Sequence, residues 1–265
     1  MKRVAHLEAV TVCVGYADFL QATAPWNAGL FSRWIIVTEP QDEQTRWVCN
    51  RFNLECVLSD DGRRHTRDGM GFNKGRLIER GLQQTSDEGW RLHLDADVAL
   101  PHRFQHLLEL ADLQHDTIYG CDRALIRSFA EWQSLIKTGF LQGGGWDFHC
   151  RTSFPTGFEI GTRFVHPQMG FLPIGFFQLF HSSQDEWKGI RVRPYPSNHS
   201  GACRTDVQFA LRWDRHKRAV IPELVGVHLE SEISPKGTNW KGRKTKWFGP
   251  QIPKGPKYGH TGGSC

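Results

Sequence analysis

The chain has 265 residues, 39% of them hydrophobic, with a formal net charge of +5 and a pI near 8.9. That length supports one large domain or two small ones around a sizeable core. No run approaches the roughly 18 apolar residues of a spanning helix, residues 1–8 lack the long apolar region of a signal peptide, and the seven Cys form no CxxC pair, so a soluble cytoplasmic protein with reduced thiols is expected.

Val10 to Val14 is a short β-rich run closed by Gly15. A first helix is expected between Asp18 and Ala28, limited by Pro25. Trp34 to Thr38 reads as a second strand, Asp42 to Phe52 as a helix and Leu54 to Leu58 as a third strand. Phe72 to Gln84 is a helix candidate with Leu77, Ile78 and Leu82 as its apolar positions. Arg91 to Val98 is a fourth strand, Phe104 to Leu113 a further helix, and Thr117 to Gly120 a fifth strand. Strands alternating with helices indicate βα units and a mostly parallel sheet. Neither GxGxxG after the first strand nor GxxxxGK[ST] is present, which argues against a dinucleotide fold and a P-loop NTPase.

The second half is patterned differently. Residues 141–170 are rich in Gly, aromatics and turn formers, and Phe176 to Phe180 reads as a strand. A loop is expected over Arg191 to Gly201, a helix over Thr205 to Trp213, and two strands at Ala219 to Ile221 and Val225 to Leu229. From Ser234 onward the chain is rich in Lys, Gly and Pro and is expected to lack regular structure. One domain over 1–245 follows, with a nucleotide-binding half (1–122), an acceptor and catalytic half (123–245) and a basic flexible tail (246–265). The ten Trp and 17 Phe serve either an aromatic core or platforms for sugars and bases.

The segment with most chemical content is Trp90-Arg91-Leu92-His93-Leu94-Asp95-Ala96-Asp97. A buried strand runs into two carboxylates, and a turn at its end converges them on one hard divalent cation. Mg2+ or Mn2+ there would hold a diphosphate. Asp97 is the choice for direct ligation, with Asp95 on the metal or the ribose. His228, ending a strand, is a further metal candidate against the alternative of a structural histidine. Asp206 opens a helix, either as a first-turn carboxylate or as a general base for a hydroxyl. Tyr16 is placed to flank a base and Asp18 to accept from its imide N–H. Asn73 and Arg76 lie where a helix begins and its amides favour an anion. Lys241 and Arg243 are candidates to grip a departing diphosphate. Trp146, Asp147, Gln178 and Trp240 are candidate contacts for sugar or acceptor, against an ordinary aromatic core and turn.

Tyr16 and Asp18, Phe72-Asn73-Lys74-Gly75-Arg76, Asp95-Ala96-Asp97, Arg204-Thr205-Asp206 and the late His228 together resemble the GT-A glycosyltransferases, especially family 2-like and related inverting members. The resemblance spans roughly residues 8–245. It implies an α/β fold of the nucleotide-diphospho-sugar transferase type with a central, mostly parallel mixed sheet. It also implies a UDP-sugar donor, Mn2+ or Mg2+ on Asp95, Asp97 and His228, and Asp206 as the base. Many such enzymes have Glu-Asp before the late helix, whereas this chain has Thr205-Asp206.

Lys236, Lys241, Arg243, Lys244, Lys246, Lys254 and Lys257 run without an acidic residue among Trp240, Trp247 and Tyr258. Basic residues interleaved with aromatics suit a nucleic acid. This suggests a hydroxymethylated base in DNA as acceptor, as in phage enzymes that resemble this chain in general plan; the alternative for the stretch is a lid over diphosphate. Glycan or protein acceptors are the second reading. A sugar-nucleotide nucleotidyltransferase is a third, although the Gly-rich, basic N-terminal loop it needs is missing. A non-enzymatic binding module would leave Asp97, His228 and Asp206 without a use.

Overall fold

The computed structural model describes residues 6–64, 73–142, 151, 154–161, 163–184, 186–187, 190–191, 194–197, 205–229, 243 and 245–253. In chain order the strands are β1 (Leu7–Val12), β2 (Arg33–Thr38), β3 (Glu55–Leu58), β4 (Trp90–Leu94), β5 (Val98–Ala99), β6 (Ile118–Ile126), β7 (Val165–His166), β8 (Gly170–Phe171), β9 (Phe177–His181), β10 (Glu186–Trp187), β11 (Ile190–Arg191) and β12 (Arg218–Leu229). The helices are α1 (Ala17–Asn27), α2 (Glu43–Arg51), α3 (Asp61–Arg64), α4 (Lys74–Leu82), α5 (Phe104–Leu110), α6 (Phe129–Lys137) and α7 (Thr205–Ala210).

Eight strands form one mixed sheet in the order β3-β2-β1-β4-β9-β6-β12-β5. β3, β2, β1 and β4 are mutually parallel, β9 is antiparallel to β4, and β6 is parallel to β12. This is the α/β architecture with a mostly parallel central sheet that the strand and helix alternation implies.

β1 and β4 are buried along their whole length, with Glu8, Thr11, Arg91 and His93 among their buried residues, and the apolar side chains of β1 and β2 sort by alternation. Leu7, Ala9, Trp34 and Ile36 join the core under α1 and α2. Val10, Val12, Ile35 and Val37 join the core under α4 and α7 with Leu77, Ile78, Phe209 and Trp213. Most described aromatics are core residues: Trp34, Trp90, Trp132, Trp213, Phe19, Phe104, Phe177 and Phe180 are all buried. Among the described residues no helix is long and apolar enough to cross a membrane.

Several elements differ from the sequence expectation. α1 continues through Pro25, because its contiguous buried face of Phe19, Leu20, Thr23, Ala24 and Asn27 outweighs one missing hydrogen bond near the helix end. The two strands expected at 219–229 are one, β12, with a register shift between Val220 and Val225. The turn-like Pro222-Glu223 makes a bulge, with Glu223 at φ +62, instead of a loop. Within the expected flexible tail, Phe248 and Ile252 are buried in the core, so residues 246–253 are packed although they lack regular secondary structure.

Candidate active site

β4 ends because the chain turns at Asp95-Ala96-Asp97, where the N–H of Val98 donates to the Asp95 carbonyl (3.2 Å). α1 fixes this turn from below. Thr23 Oγ1 donates to the Ala96 carbonyl (2.9 Å), Asn27 Nδ2 donates to the Val98 carbonyl (2.7 Å), and Asn27 Oδ1 accepts from the Leu100 N–H (2.9 Å). After the turn the chain enters β5 and pairs with β12, setting Val98 opposite His228. The Leu229 N–H donates to the Asp97 carbonyl (2.7 Å). Sheet register therefore brings His228 Nε2 to 3.5 Å from Asp97 Oδ1.

The two carboxylates sit in different environments. Asp97 Oδ1 is buried with no hydrogen-bond partner. Burial, with the Asp95 charge adding to it against the pull of His228, raises the Asp97 carboxyl to about 6. Asp95 Oδ1 instead accepts from Lys74 Nζ at 2.5 Å and lies 3.5 Å from His93 Nε2. Burial pushes Asp95 upward, but Lys74 and His93 outweigh it and hold its carboxyl below the usual range. Burial likewise opposes the charge on Lys74, and Asp95, Asp97 and Asp206 together overcome it. His93 is fully buried, and burial followed by the Lys74 charge lowers it to about 4, so it is neutral at pH 7.

Among the described residues no three His, Cys, Asp or Glu side chains gather as a metal-binding group. The pair Asp97 and His228, in which the buried Asp97 Oδ1 accepts no hydrogen bond, fits a divalent cation of the Mg2+ or Mn2+ kind, which keeps waters and takes ligands from substrate phosphates. Asp95 is turned toward Lys74 and stands beside that pair.

Asp206 lies in the first turn of α7. Its Oδ2 accepts from the Gly175 N–H (2.7 Å), and its carbonyl accepts from Gln178 Nε2 (2.9 Å). Gln178 also accepts from the Tyr195 hydroxyl (2.8 Å) and is fully buried. Gln178 thus supports the Asp206 helix from within. The approach is close: a Cβ on Gly175 would stand 2.9 Å from the Asp206 Cβ.

Asn73 caps α4, accepting from the Arg76 N–H (3.2 Å) and donating to the Ser197 carbonyl (2.9 Å). It is Lys74, the next residue, that reaches the carboxylates. Sequence reasoning places Lys74 in the Phe72–Arg76 segment as a contact for nucleoside or phosphates and passed over its pairing with Asp95. It also passed over Glu39, a buried carboxylate at the carboxyl end of β2 whose Oε2 accepts from Gln41 Nε2 (2.9 Å). The signal for Glu39 was its place after a strand and before Pro40.

Tyr16 lies in the β1–α1 turn. Burial raises its phenol well above the usual range, and the negative charge of Asp97 adds to this. Asp18 and Arg243, far apart in sequence, are bonded to each other. Arg243 Nη1 and Nη2 donate to Asp18 Oδ1 and Oδ2, both at 2.6 Å. Trp146, Asp147, Trp240 and Lys241 lie outside the described residues, as do Phe72 and Arg204.

No family model matches the chain, and no curated protein matches it. Among solved structures it is similar to glucosyl-3-phosphoglycerate synthase from Mycobacterium tuberculosis in complex with phosphoglyceric acid. That likeness is at 12% identity over 85% of this chain and 70% of that chain, with a TM-score of 0.45. The same synthase in complex with Mn2+, uridine-diphosphate-glucose and phosphoglyceric acid is similar at 12% identity over 84% of this chain and 71% of that chain, with a TM-score of 0.45. Mannosyl-3-phosphoglycerate synthase from Rubrobacter xylanophilus is similar at 14% identity over 67% of this chain and 54% of that chain, with a TM-score of 0.38. At this distance the likeness says nothing of substrate.

Proposed function

We propose that the chain is a metal-dependent glycosyltransferase of the GT-A type, moving a sugar from a UDP-sugar to an acceptor hydroxyl with inversion. The observation that carries this reading is the meeting of Asp97 and His228 beside Asp95, at the carboxyl end of parallel strands where open α/β sheets bind ligands. Asp97 and His228 would hold Mn2+ or Mg2+, whose charge stabilises the leaving nucleoside diphosphate.

The remaining work falls to the chain's own side chains. Asp206, held by the Gly175 N–H, takes the acceptor hydroxyl proton as that oxygen attacks the anomeric carbon and the bond to the diphosphate oxygen breaks. Lys74 holds Asp95 ionised, so that Asp95 accepts hydrogen bonds from the donor's hydroxyls. Tyr16 flanks the nucleoside. Hydroxymethylcytosine in DNA is one acceptor to test. Of the basic residues that suggested it, Lys236, Lys241, Lys244, Lys254 and Lys257 lie outside the described residues.

The test is UDP release from a panel of UDP-sugars by the purified protein, with Mn2+ or with EDTA, and with glycan, peptide or hydroxymethylcytosine DNA added. Metal-dependent release, abolished in Asp97→Asn, is expected. Release unchanged by EDTA, or no UDP-sugar bound at all, would overturn the reading.

A further inference from the structure

Arg243 was a sequence candidate for gripping the diphosphate, yet a guanidinium has five N–H donors and here all five are engaged within the protein. Nη1 donates to Asp18 Oδ1 (2.6 Å) and the Gly15 carbonyl (2.8 Å). Nη2 donates to Asp18 Oδ2 (2.6 Å) and the Lys246 carbonyl (2.7 Å). Nε donates to the Thr245 carbonyl (3.2 Å). Asp18 is 1% exposed and also accepts from the Phe248 N–H (2.6 Å). The guanidinium carbon lies 5.2 Å from the Tyr16 ring centroid, 5.4 Å from that of Phe19 and 5.6 Å from that of Trp247. Phe248 stacks on Phe19 with centroids 4.9 Å apart and meets the Phe129 ring edge-on at 5.4 Å.

We infer that Arg243 is a positioning residue. It staples residues 245–253 to the β1–α1 turn and locks Tyr16 in the orientation that receives the nucleoside, without touching the diphosphate. Bonds to Gly15 and Asp18 bracket Tyr16 on either side in sequence, and the stacked guanidinium restrains the ring itself. Asp18, buried and accepting from Arg243 at both oxygens and from the Phe248 N–H, therefore serves the staple and does not read the base. A staple of this kind sets the fraction of molecules with a competent nucleoside pocket, and apparent affinity falls in proportion to that fraction.

The inference rests on the UDP-sugar reading, and the experiment separates the two. Uridine and UDP are titrated into the wild-type chain and into R243Q, R243K, D18N and the double variant D18N/R243Q. A staple predicts that both ligands weaken by the same factor, about tenfold if the competent fraction falls to one-tenth. It also predicts that the double variant is no worse than either single one. R243K should behave like R243Q, since three ammonium donors cannot serve these acceptors. A direct grip predicts UDP weakened with uridine untouched, and UDP binding retained in R243K. Either result overturns the inference, as does a lowered melting temperature with no change in either affinity. Should R243Q fail to fold, Tyr16→Leu leaves the staple in place and must weaken uridine and UDP alike. If the wild-type chain binds neither ligand, the donor reading falls. Amide exchange over residues 14–20 then decides the staple alone: faster exchange in R243Q supports it, and unchanged exchange overturns it.

Discussion

Asp97 is a carboxylate that the fold makes expensive to ionise. Its carboxyl is raised to about 6, chiefly by burial, so between the ordinary carboxylate value and 6 the folded chain holds a proton that the unfolded chain releases. The metal-free protein therefore gains stability from Asp97 at low pH and loses it as pH rises through 6. A cation needs the ionised form, so Mn2+ affinity should rise about tenfold per pH unit up to 6 and then level as far as Asp97 controls it. Mn2+ titration from pH 5 to 8 checks this, and Asp97→Asn should remove the dependence with the binding. Asp206→Asn keeps the shape of the first turn of α7 but cannot take a proton. Transfer in that variant should slow by about 10^2- to 10^4-fold, with UDP affinity intact in a fluorescence titration. Asp95, Asp97, Asp206 and His228 stood out in the sequence because each sits at the end of a strand or the start of a helix. Lys74 did not, because its value comes from three carboxylates supplied by other elements. The Asp18–Arg243 pair was equally hidden, since sequence separation conceals which charges meet.

At the scale of elements, α1 and α4 matter to the site more than their own side-chain chemistry suggests. α1 reaches the acidic turn through Thr23 and Asn27. Thr23→Val conserves shape but leaves the buried Ala96 carbonyl without this donor, a cost of about 1–3 kcal/mol. Urea denaturation should show that loss, and the Asp95–Asp97 turn should bind Mn2+ more weakly. α4 approaches the Tyr195–Ser197 segment so closely that a Cβ on Gly75 would stand 1.9 Å from the Pro196 carbonyl oxygen. Gly75→Ala must separate α4 from the Pro196 carbonyl and so shift Lys74 relative to Asp95, and it should destabilise by about 1–3 kcal/mol or more while lowering transfer. Most elements of the first half were legible from alternation and helical spacing. α6 was not, because Ser128 as its N-cap precedes a stretch whose apolar residues, Phe129, Trp132 and Leu135, look like part of the irregular aromatic region that follows.

Over the whole molecule, the C-terminal stretch shows how composition misleads. Lys, Gly and Pro made residues 246–265 read as a basic flexible tail, yet two apolar side chains, Phe248 and Ile252, seat residues 246–253 in the core. Phe248→Ala should cost about 3–5 kcal/mol, visible as a lower melting temperature, and should weaken nucleotide binding through the loosened β1–α1 turn. The sheet order carries a further consequence. Asp97 follows β4, a strand of the early βα units, but its partner His228 arrives only when β12 docks against β5. Pairings so remote in sequence are slow to close. A growing or refolding chain therefore acquires its early βα units well before its carboxylate and imidazole meet, and competence to hold a cation marks the end of maturation. In stopped-flow refolding, Mn2+ binding should appear with the slowest phase, after helical ellipticity has recovered.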